Sequence, residues 1–488
     1  CYAFKHALVR DAVHESLLKV QRQQLHARIA HALEGRFPGT AEAEPELLAR
    51  HCAEAGLAEQ AVDYRRRAGE QALARSAMAE AAAQLTKGLE LLQTLPDGHE
   101  RQRRELRLQL ALGQASIAAK GFAAPETGRA YARAHELCRE LGDVPELFPA
   151  LYGRSVFHFQ RGELAAAHEV AQELRRSAEE RGDAAALVTG HRMMGSASCQ
   201  LGRLAESRKH FEAALAHYEP ERDRSSAYVY AIDSRVMCLS WLSHVLAILG
   251  YPDQALARDG EVPARTRELA HPNTAAVALA WGCIFHQLLR NRTRAGEQAQ
   301  AVMELATQQG FPLYLAAGMV VHGWALAEGG RAAEGVAGIR RGLAAYAATG
   351  AEMWSPYFLG LLAEALGWAG QAAAGLDTAG DALQRVERTG ASWIEADLHR
   401  LRGELLLAQP EPDRAEAEAS FRRSLAVARA QGAKLWGLRA ATRLAKLHSE
   451  QGRRADARDL LASVHGWFTE GFETPDLRAA GMLLEELR

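Results

Sequence analysis

A repeat of about forty residues constrains this chain more than any other feature of its sequence. Counted from Gly195, a glycine follows at +7, a small residue at +12, an apolar residue at +16 and a small residue at +19, which are Gly202, Ser207, Phe211 and Ala214. The same spacing restarts at Ser155, Ser243, Cys283, Gly323, Ala363, Gly403 and Ala445, and less closely at Gly69 and Ala115. Such self-similarity predicts stacked copies of one supersecondary unit.

Each unit is predicted to be a pair of helices of about 16 residues. Ala, Leu, Glu and Arg dominate the composition, and these residue types favour helices. Besides the glycine at +7, a second break falls about halfway to the next unit, at Gly142, Gly182, Pro272, Gly310, Gly350, Gly390 and Gly432. Glycine commonly ends a helix because it adopts the left-handed conformation that a helix C-terminus requires. In the unit that begins at Cys283, Arg290 stands in place of the turn glycine.

These intervals are similar to those of the tetratricopeptide repeat (TPR), which has Gly at position 8, a small residue at 20, Phe at 24 and Ala at 27. Small residues at the origin and at +12 let the two helices approach, and the apolar residue at +16 fills the gap to the next unit. The period exceeds the 34 residues of a standard TPR, so each helix is about a turn longer. The predicted fold class is all-α, a right-handed α-solenoid of about ten TPR-like helix pairs whose first helices line a binding groove.

Two insertions interrupt the spacing. Eight extra residues accompany the segment "YEPERDRSSAYVYAIDSRV", and "QPEPDR" adds two near Ala408. The first is rich in Tyr and charge, at Tyr218, Arg222, Arg224, Tyr228, Tyr230 and Asp233, which makes it a candidate ligand-facing loop. The alternative is a longer helix start that packs on its neighbour. The candidate groove or ligand residues are His191, Arg192, Tyr228, Tyr230, Arg235 and His322.

Familiar catalytic motifs are missing from the chain. It contains no GxxxxGK[ST] phosphate loop, no GxGxxG fingerprint, no GxSxG elbow and no HExxH helix, so P-loop ATP hydrolysis is excluded and no catalytic or cofactor-binding residue is predicted. The pairs Cys283 with His286 and His26 with His31 lack the third ligand that a metal site requires. We therefore expect no metal site and no enzymatic activity in this segment.

Charge and apolar patterning bear on partners and compartment. The net charge is −2, which gives no general attraction to nucleic acid or to an anionic membrane. The recurring tryptophans are predicted to pack between helices rather than to stack on bases. No apolar run is long enough to span a membrane, and the six cysteines stand singly, as expected of reduced thiols. The predicted compartment is the cytoplasm.

The first residues resemble a known family. The segment "FKHALVRDAVHESLLKVQRQQLHARIAHALE" is similar to the end of the winged-helix-like subdomain that follows the ATPase module in bacterial signal-transduction ATPases. The matching positions are Phe4, His6, Leu8, Asp11, Leu17, Arg22, Leu25, His26, Ile29, Ala30, Leu33 and Glu34. His14 departs from the family, which often has tyrosine there. The resemblance implies that residues 1–40 are the remnant of this subdomain.

Later segments, among them "LGYPDQALARD" and "VHGWFTEGFETPDLRAAGMLLEEL", resemble the carboxy-terminal TPR region of bacterial fusion proteins. In these proteins a class III adenylate/guanylate cyclase domain, or a serine/threonine kinase domain, precedes the ATPase. The resemblance implies a solenoid over residues 41–464 and a capping segment over 465–488.

The function that this resemblance implies is a non-catalytic sensor and regulator. Its partners would be its own upstream ATPase or cyclase domains and an unknown protein, peptide or small effector, while ATP and Mg²⁺ would bind only in the upstream domains. Two alternatives stay open: a passive TPR scaffold that assembles partners, and an enzyme with an unrecognised site in the groove.

Overall fold

The structure is a computed structural model that describes residues 18–75, 77–223, 230 and 232–488, apart from the side chain of residue 118. The described residues form 25 α-helices and one 3₁₀ turn and contain no β-strand. They divide into two compact units, with unit 1 ending at Arg154 and unit 2 running from Ser155 to Arg488. The predicted all-α class is confirmed.

Unit 1 is built from consecutive antiparallel helices. These are α1 (Lys19–Arg36), α2 (Pro38–Ala43), α3 (Pro45–Ala55), α4 (Ala58–Ala74), α5 (Met78–Leu92), α6 (His99–Lys120), α7 (Pro125–Leu141) and α8 (Leu147–Gln160), which continues into unit 2. The predicted unit origins Gly69 and Ala115 lie in the helix pairs α4/α5 and α6/α7. The predicted winged-helix-like remnant covers residues 1–17, which lie outside the described residues, together with α1 and the start of α2. It stays a prediction.

Unit 2 alternates first and second helices of the repeat, here called A and B helices. The A helices are α8, α10 (Ala184–Gln200), α13 (Ser234–Leu249), α15 (Pro272–Leu288), α17 (Pro312–Glu328), α19 (Ser355–Trp368), α21 (Glu395–Leu407) and α23 (Lys434–Glu450). The B helices are α9 (Leu164–Arg181), α11 (Leu204–His217), α14 (Pro252–Leu269), α16 (Arg292–Gln309), α18 (Ala332–Ala348), α20 (Ala372–Thr389), α22 (Arg414–Gln431) and α24 (Arg454–His465). A short helix, α12 (Pro220–Asp223), lies in the insertion, and α25 (Pro475–Glu486) ends the chain. The predicted helix pairs and their TPR-like solenoid arrangement are confirmed.

The small residues at the origin and at +12 bring each A helix close to its B helix. The Ser207 hydroxyl donates to the carbonyl oxygen of Gly195 at 2.7 Å, and the Ser155 hydroxyl donates to the carbonyl oxygen of Ala167 at 3.2 Å. At +16, Phe211 is fully buried and its ring lies where a Gly195 side chain would be. The repeat spacing thus reflects helix packing.

The turns between A and B helices need the left-handed backbone conformation. Gly162, Gly202, Gly250 and Gly330 have φ between +71° and +90° at this position. Arg290 has φ +56° at the same position, although it is not a glycine. A non-glycine residue in this conformation costs about 1 kcal/mol or more, so its side chain must contribute something that glycine cannot.

The described part of the first insertion is held by a buried polar network. The Tyr218 hydroxyl lies 2.8 Å from a carboxylate oxygen of Asp233, and the Arg265 guanidinium donates to the Tyr218 oxygen at 2.6 Å. Asp233 also accepts from the Val236 N–H at 2.9 Å and so caps α13. These residues pack the described part of the insertion onto its neighbours, and α13 begins only after the insertion, at Ser234. Arg224 and Tyr228 lie outside the described residues.

Among the described helices, none has a segment long and apolar enough to cross a membrane.

Candidate ligand-binding interior

Unit 2 closes on itself along a line of contacts that we call the seam. The seam joins the turns after α8, α10 and α13 to the turns after α18, α20, α22 and α24. At one end, the carbonyl oxygen of Gln160 accepts from the N–H groups of Glu352 and Met353 at 2.7 and 3.3 Å. Next, a Cβ added to Gly202 would lie 2.7 Å from the Ser392 hydroxyl oxygen, and one added to Gly390 would lie 3.4 Å from the Leu201 side chain. The inner face of the A helices is therefore closed off rather than open as a groove.

Aromatic side chains from the A helices and from the turns before them fill one part of this interior. We call them the tryptophan cluster: Trp241, Trp281, Trp354, Trp393 and Trp436, each at most 5% exposed. The rings of Trp241 and Trp354 stack with centroids 5.4 Å apart, although they come from units that are not neighbours in the repeat. Trp281 meets both rings edge-on at 5.6 and 5.3 Å. The predicted packing role of these tryptophans is confirmed, with Trp368 as an exception at 42% exposed.

Two indole N–H groups of this cluster lack an acceptor. Trp281 Nε1 and Trp354 Nε1 are buried and have no hydrogen-bond partner among the described residues. By contrast, Trp324 Nε1 donates to Glu364 at 2.9 Å and Trp436 Nε1 donates to the Trp393 carbonyl oxygen at 3.0 Å. A buried donor without an acceptor costs about 1–3 kcal/mol, so each of these two indoles lowers the stability of the closed interior.

Beside the aromatic rings lies a group of ionic side chains, which we call the charged cluster: Arg290, Glu364, Asp397, Arg400, Arg439 and Asp476. Glu364, Arg400 and Arg439 are buried, and the other three are half-buried. The Arg290 guanidinium donates to both carboxylate oxygens of Glu364, at 3.0 and 2.5 Å. Burial favours the neutral acid, but the Arg290 guanidinium outweighs it and holds the pKa of Glu364 below its ordinary value. Arg290 thus uses its strained turn to place its charge beside this carboxylate.

The other two arginines of the charged cluster are also paired. Arg400 donates to Asp397 at 2.5 and 3.1 Å, and against the opposing effect of burial it lowers the pKa of Asp397 to about 2. Arg439 donates to Asp476 at 2.8 Å and to the carbonyl oxygen of Leu288 at 2.5 Å. A cavity of about 20 Å³, room for about one water molecule, lies between these pairs and is lined by Tyr357, Gln287 and Trp436 as well.

Of the site residues predicted from the sequence, none that the structure describes lines this cavity. Arg192 and Tyr230 are buried, His322 is half-buried, and Arg235 pairs with Glu261 at 3.5 Å. Tyr228 lies outside the described residues. Their assignment to ligand binding stays a prediction.

His191 belongs to a group of histidines between α10 and α11. Its Nδ1 atom lies 3.0 Å from Nδ1 of His210, and its ring stacks on His217 with centroids 6.0 Å apart. Nevertheless, the described residues contain no group of three or more His, Cys, Asp or Glu arranged to hold a metal ion. The arrangement favours neutral imidazoles at His191 and His210, with the Nδ1–H of one ring donating to the Nδ1 of the other.

The sequence carried two signals for the charged cluster. One is Arg290, where every neighbouring unit from Ser155 to Ala363 has a glycine at the turn. The other is the position after the unit origin, which holds Trp324 and Glu364 in successive units and faces the interior. Both were visible in the repeat alignment, whereas the pairing partners on other helices were not.

No protein-family model matches the chain. An uncharacterized protein of Rhizobium meliloti (strain 1021) is 26% identical over 435 residues, which are 88% of this chain and 42% of that protein. The chain thus spans less than half of the length of this relative.

Solved structures with similar folds are helical-repeat proteins of the TPR type. A Rap protein complexed with competence and sporulation factor is 14% identical, covers 72% of this chain and all of its own, and has a TM-score of 0.46. A signal transduction ATPase with numerous domains (STAND) and a tetratricopeptide repeat sensor, from Pyrococcus horikoshii, is 12% identical, covering 82% of this chain and 57% of its own (TM-score 0.41). Yeast Tom70 is 12% identical, covering 94% and 96% (TM-score 0.35). The helix pairs themselves, not these similarities, define the fold.

Acid is expected to destabilise unit 2 through its buried histidines. Burial is the main cause that lowers the pKa of His191 and of His244 to about 4, from about 6.5 in the unfolded chain. As the pH falls, the histidines of the unfolded chain take up protons before those of the folded chain do. The free energy of unfolding is therefore highest above pH 6.5 and decreases as the pH drops toward 4. For the fully buried His244 the loss amounts to about 3 kcal/mol. Urea unfolding at several pH values measures it.

The variant His244→Leu should flatten this pH dependence, whereas His99→Gln, which changes an exposed histidine, should leave it as in the wild type. An unchanged slope in His244→Leu would contradict the assignment.

Proposed function

We propose that this chain is the non-catalytic sensor and protein-interaction solenoid of a multidomain bacterial signalling ATPase, with the cytoplasm as its predicted compartment. In this proposal a peptide segment of a protein effector binds in the interior of unit 2, between the tryptophan cluster and the charged cluster. The observation that carries it is the pair of buried indole donors, Trp281 Nε1 and Trp354 Nε1, which have no acceptor in the described residues.

A purely structural interior would not need these groups. Unpartnered buried donors lower stability, and buried ion pairs contribute little net stability compared with apolar side chains of the same size. Arg290, Arg400 and Arg439 are nevertheless buried or nearly so, and Arg290 is held in a strained turn. Strained or buried polar groups that lower folding stability are commonly found where a protein binds a ligand.

A peptide backbone fits what the interior offers. Its carbonyl oxygens could accept from the two indole N–H groups, and its side chains could stack on aromatic rings that lie 5–6 Å apart. Carboxylate or amide groups of a peptide could exchange with the carboxylates that the three arginines now hold. With the seam closed the interior has room for about one water molecule, so binding would require unit 2 to open.

The link to a signalling ATPase rests on the sequence resemblance and on length. The matched region of the Rhizobium meliloti relative is 42% of that protein, which leaves room for further domains in the relative. ATP and Mg²⁺ would bind in such domains, and the solenoid would bias them through its open and closed states.

A selection from a phage library of random peptides tests the binding site. We expect peptides that bind the wild-type chain to lose about tenfold in affinity for each of Trp281→Phe and Trp354→Phe, because phenylalanine keeps the aromatic packing and removes the N–H donor. Trp368→Phe, on an exposed tryptophan, is the matched control and should bind as the wild type does. Failure to select any peptide, or equal binding by all variants, would refute the interior site.

A test of the proposed regulation requires a protein in which this chain is joined to its ATPase domains. A selected peptide is expected to change the rate of ATP turnover in that protein. Unchanged turnover with the peptide bound would instead favour the passive scaffold.

A further inference from the structure

Two segments that stand out in the sequence meet at the end of the seam. "GYPDQ" (residues 250–254) forms the turn after α13 and the start of α14, and "GWFTEGFET" (residues 466–474) joins α24 to α25. Both belong to the segments that carry the family resemblance, and residues 466–474 lie within the predicted capping segment. Their contact across more than 200 residues gives them a role.

The contact is reciprocal at the N-terminus of α14. The Glu470 carboxylate accepts from the N–H groups of Asp253 and Gln254 at 3.0 and 3.1 Å, and from the Gln254 side-chain amide at 2.9 Å. In return, the Asp253 carboxylate accepts from the N–H of Gly471 at 3.1 Å. A carboxylate is favourable at a helix N-terminus because the first N–H groups have no partner within the helix. Here the capping carboxylate comes from the far end of unit 2.

Close packing backs these bonds. A Cβ added to Gly471 would lie 1.9 Å from Pro252 Cγ, so no larger residue fits there without movement. A Cβ added to Gly250 would lie 3.1 Å from the buried Phe468 ring. The Lys434 ammonium lies 5.0 Å from the Tyr251 ring centroid and donates to the Trp467 carbonyl oxygen at 3.3 Å.

We propose that residues 466–474 are a clasp, which holds the superhelical turn of unit 2 closed by binding residues 250–254 and whose release opens the interior. The clasp is suited to release because Asp253 is exposed and Glu470 is half-buried, whereas Glu364, Arg400 and Arg439 of the charged cluster are buried. Arg439 connects the clasp to the interior, since it donates to Asp476 just beyond the clasp and to the Leu288 carbonyl oxygen in the interior. The control of ligand entry by the clasp rests on the proposed function, but the clasp itself does not.

Hydrogen exchange of the full 488-residue chain tests the clasp without any ligand. In Glu470→Ala, we expect amide exchange in residues 250–254 and 466–474 to speed up by about tenfold or more, together with faster exchange in α13 and α23. Glu473→Ala is the matched control, because Glu473 lies in the same loop with an 86% exposed side chain and pairs with Arg478. Exchange in Glu470→Ala equal to that of the control, with helix content unchanged, would overturn the clasp.

A cross-link tests the control of entry. In the double variant Pro252→Cys and Gly471→Cys, the two β-carbons would start about 3.0 Å apart, so a small separation of the two segments brings them to the ~3.5–4.5 Å of a disulfide. We expect the oxidised protein to bind a selected peptide at least tenfold more slowly than the reduced protein, with recovery after reduction; the single variant Pro252→Cys, carried through the same oxidation and reduction, is the control. Equal rates in the two redox states would overturn gating. If exchange responds to Glu470→Ala but no peptide binds even the reduced protein, the proposed function fails and the clasp stands.

Discussion

Arg290→Gly is expected to lower the free energy of unfolding of unit 2 by about 2–4 kcal/mol, although glycine suits the backbone at this turn better than arginine does. Removing the φ +56° strain returns about 1 kcal/mol. Against this, Glu364 loses its bidentate partner while only 7% exposed, and breaking a buried ion pair costs about 3–5 kcal/mol. Urea unfolding followed by tryptophan fluorescence measures the net loss.

Two further variants separate charge from strain at this turn. Adding Glu364→Gln to Arg290→Gly should restore part of the loss, because a neutral amide can still accept from Trp324 Nε1 without a buried charge. Arg331→Ala, which breaks an exposed pair with Glu334, should leave the free energy of unfolding close to that of the wild type, because solvent screens exposed ion pairs. If Arg290→Gly were as stable as the wild type, the ion pair would contribute nothing beyond offsetting the strain.

Substitution by alanine is expected to destabilise the protein at one glycine of α18 and not at another. At Gly335 a Cβ would lie 2.5 Å from the Gly323 carbonyl oxygen and 2.7 Å from the Ala327 nitrogen, both backbone atoms of α17 that cannot move independently. Gly335→Ala should therefore cost about 2–4 kcal/mol through separation of the two helices. Thermal and urea unfolding both report this loss.

Gly338→Ala is the matched control, three residues along the same helix. Its Cβ would meet Gly323 Cα at 3.4 Å, an ordinary contact, and alanine favours the helix over glycine by about 1 kcal/mol. We expect it to be neutral or stabilising. Equal losses at both positions would mean that glycine is required for helix flexibility and not for the close approach of α17 and α18.

Much of the fold followed from the sequence because its determinants are local. The spacing of small and apolar residues from each origin reflects contacts within one helix pair, as at Gly195, Ser207 and Phe211, so a single repeat alignment exposes them. Turn glycines likewise mark a backbone conformation that few other residues adopt.

The closed interior could not be predicted in the same way. It depends on contacts between units that are distant in sequence, such as Gln160 with Glu352 and Trp241 with Trp354. Such contacts are set by the small rotation from each unit to the next, summed over several units, and no short motif encodes that rotation. Three of the predicted site residues, Tyr228, Tyr230 and Arg235, were chosen from the insertion instead, where the described network of Tyr218, Asp233 and Arg265 serves packing.

The regular spacing of the seam has a consequence for how such an array can evolve. Gly162 and Gly350 line one cleft of the seam, and a Cβ added to Gly390 or to Gly432 would lie 3.4 Å from Leu201 or 3.9 Å from Leu249. The partners therefore stand nearly the same number of residues apart each time. Open solenoids tolerate duplication or loss of a whole unit, since each unit touches only its neighbours. Here, a unit gained or lost between two seam partners would shift every later turn away from its partner. We therefore expect the number of units between two seam partners to change less readily in evolution than the number of units outside the seam.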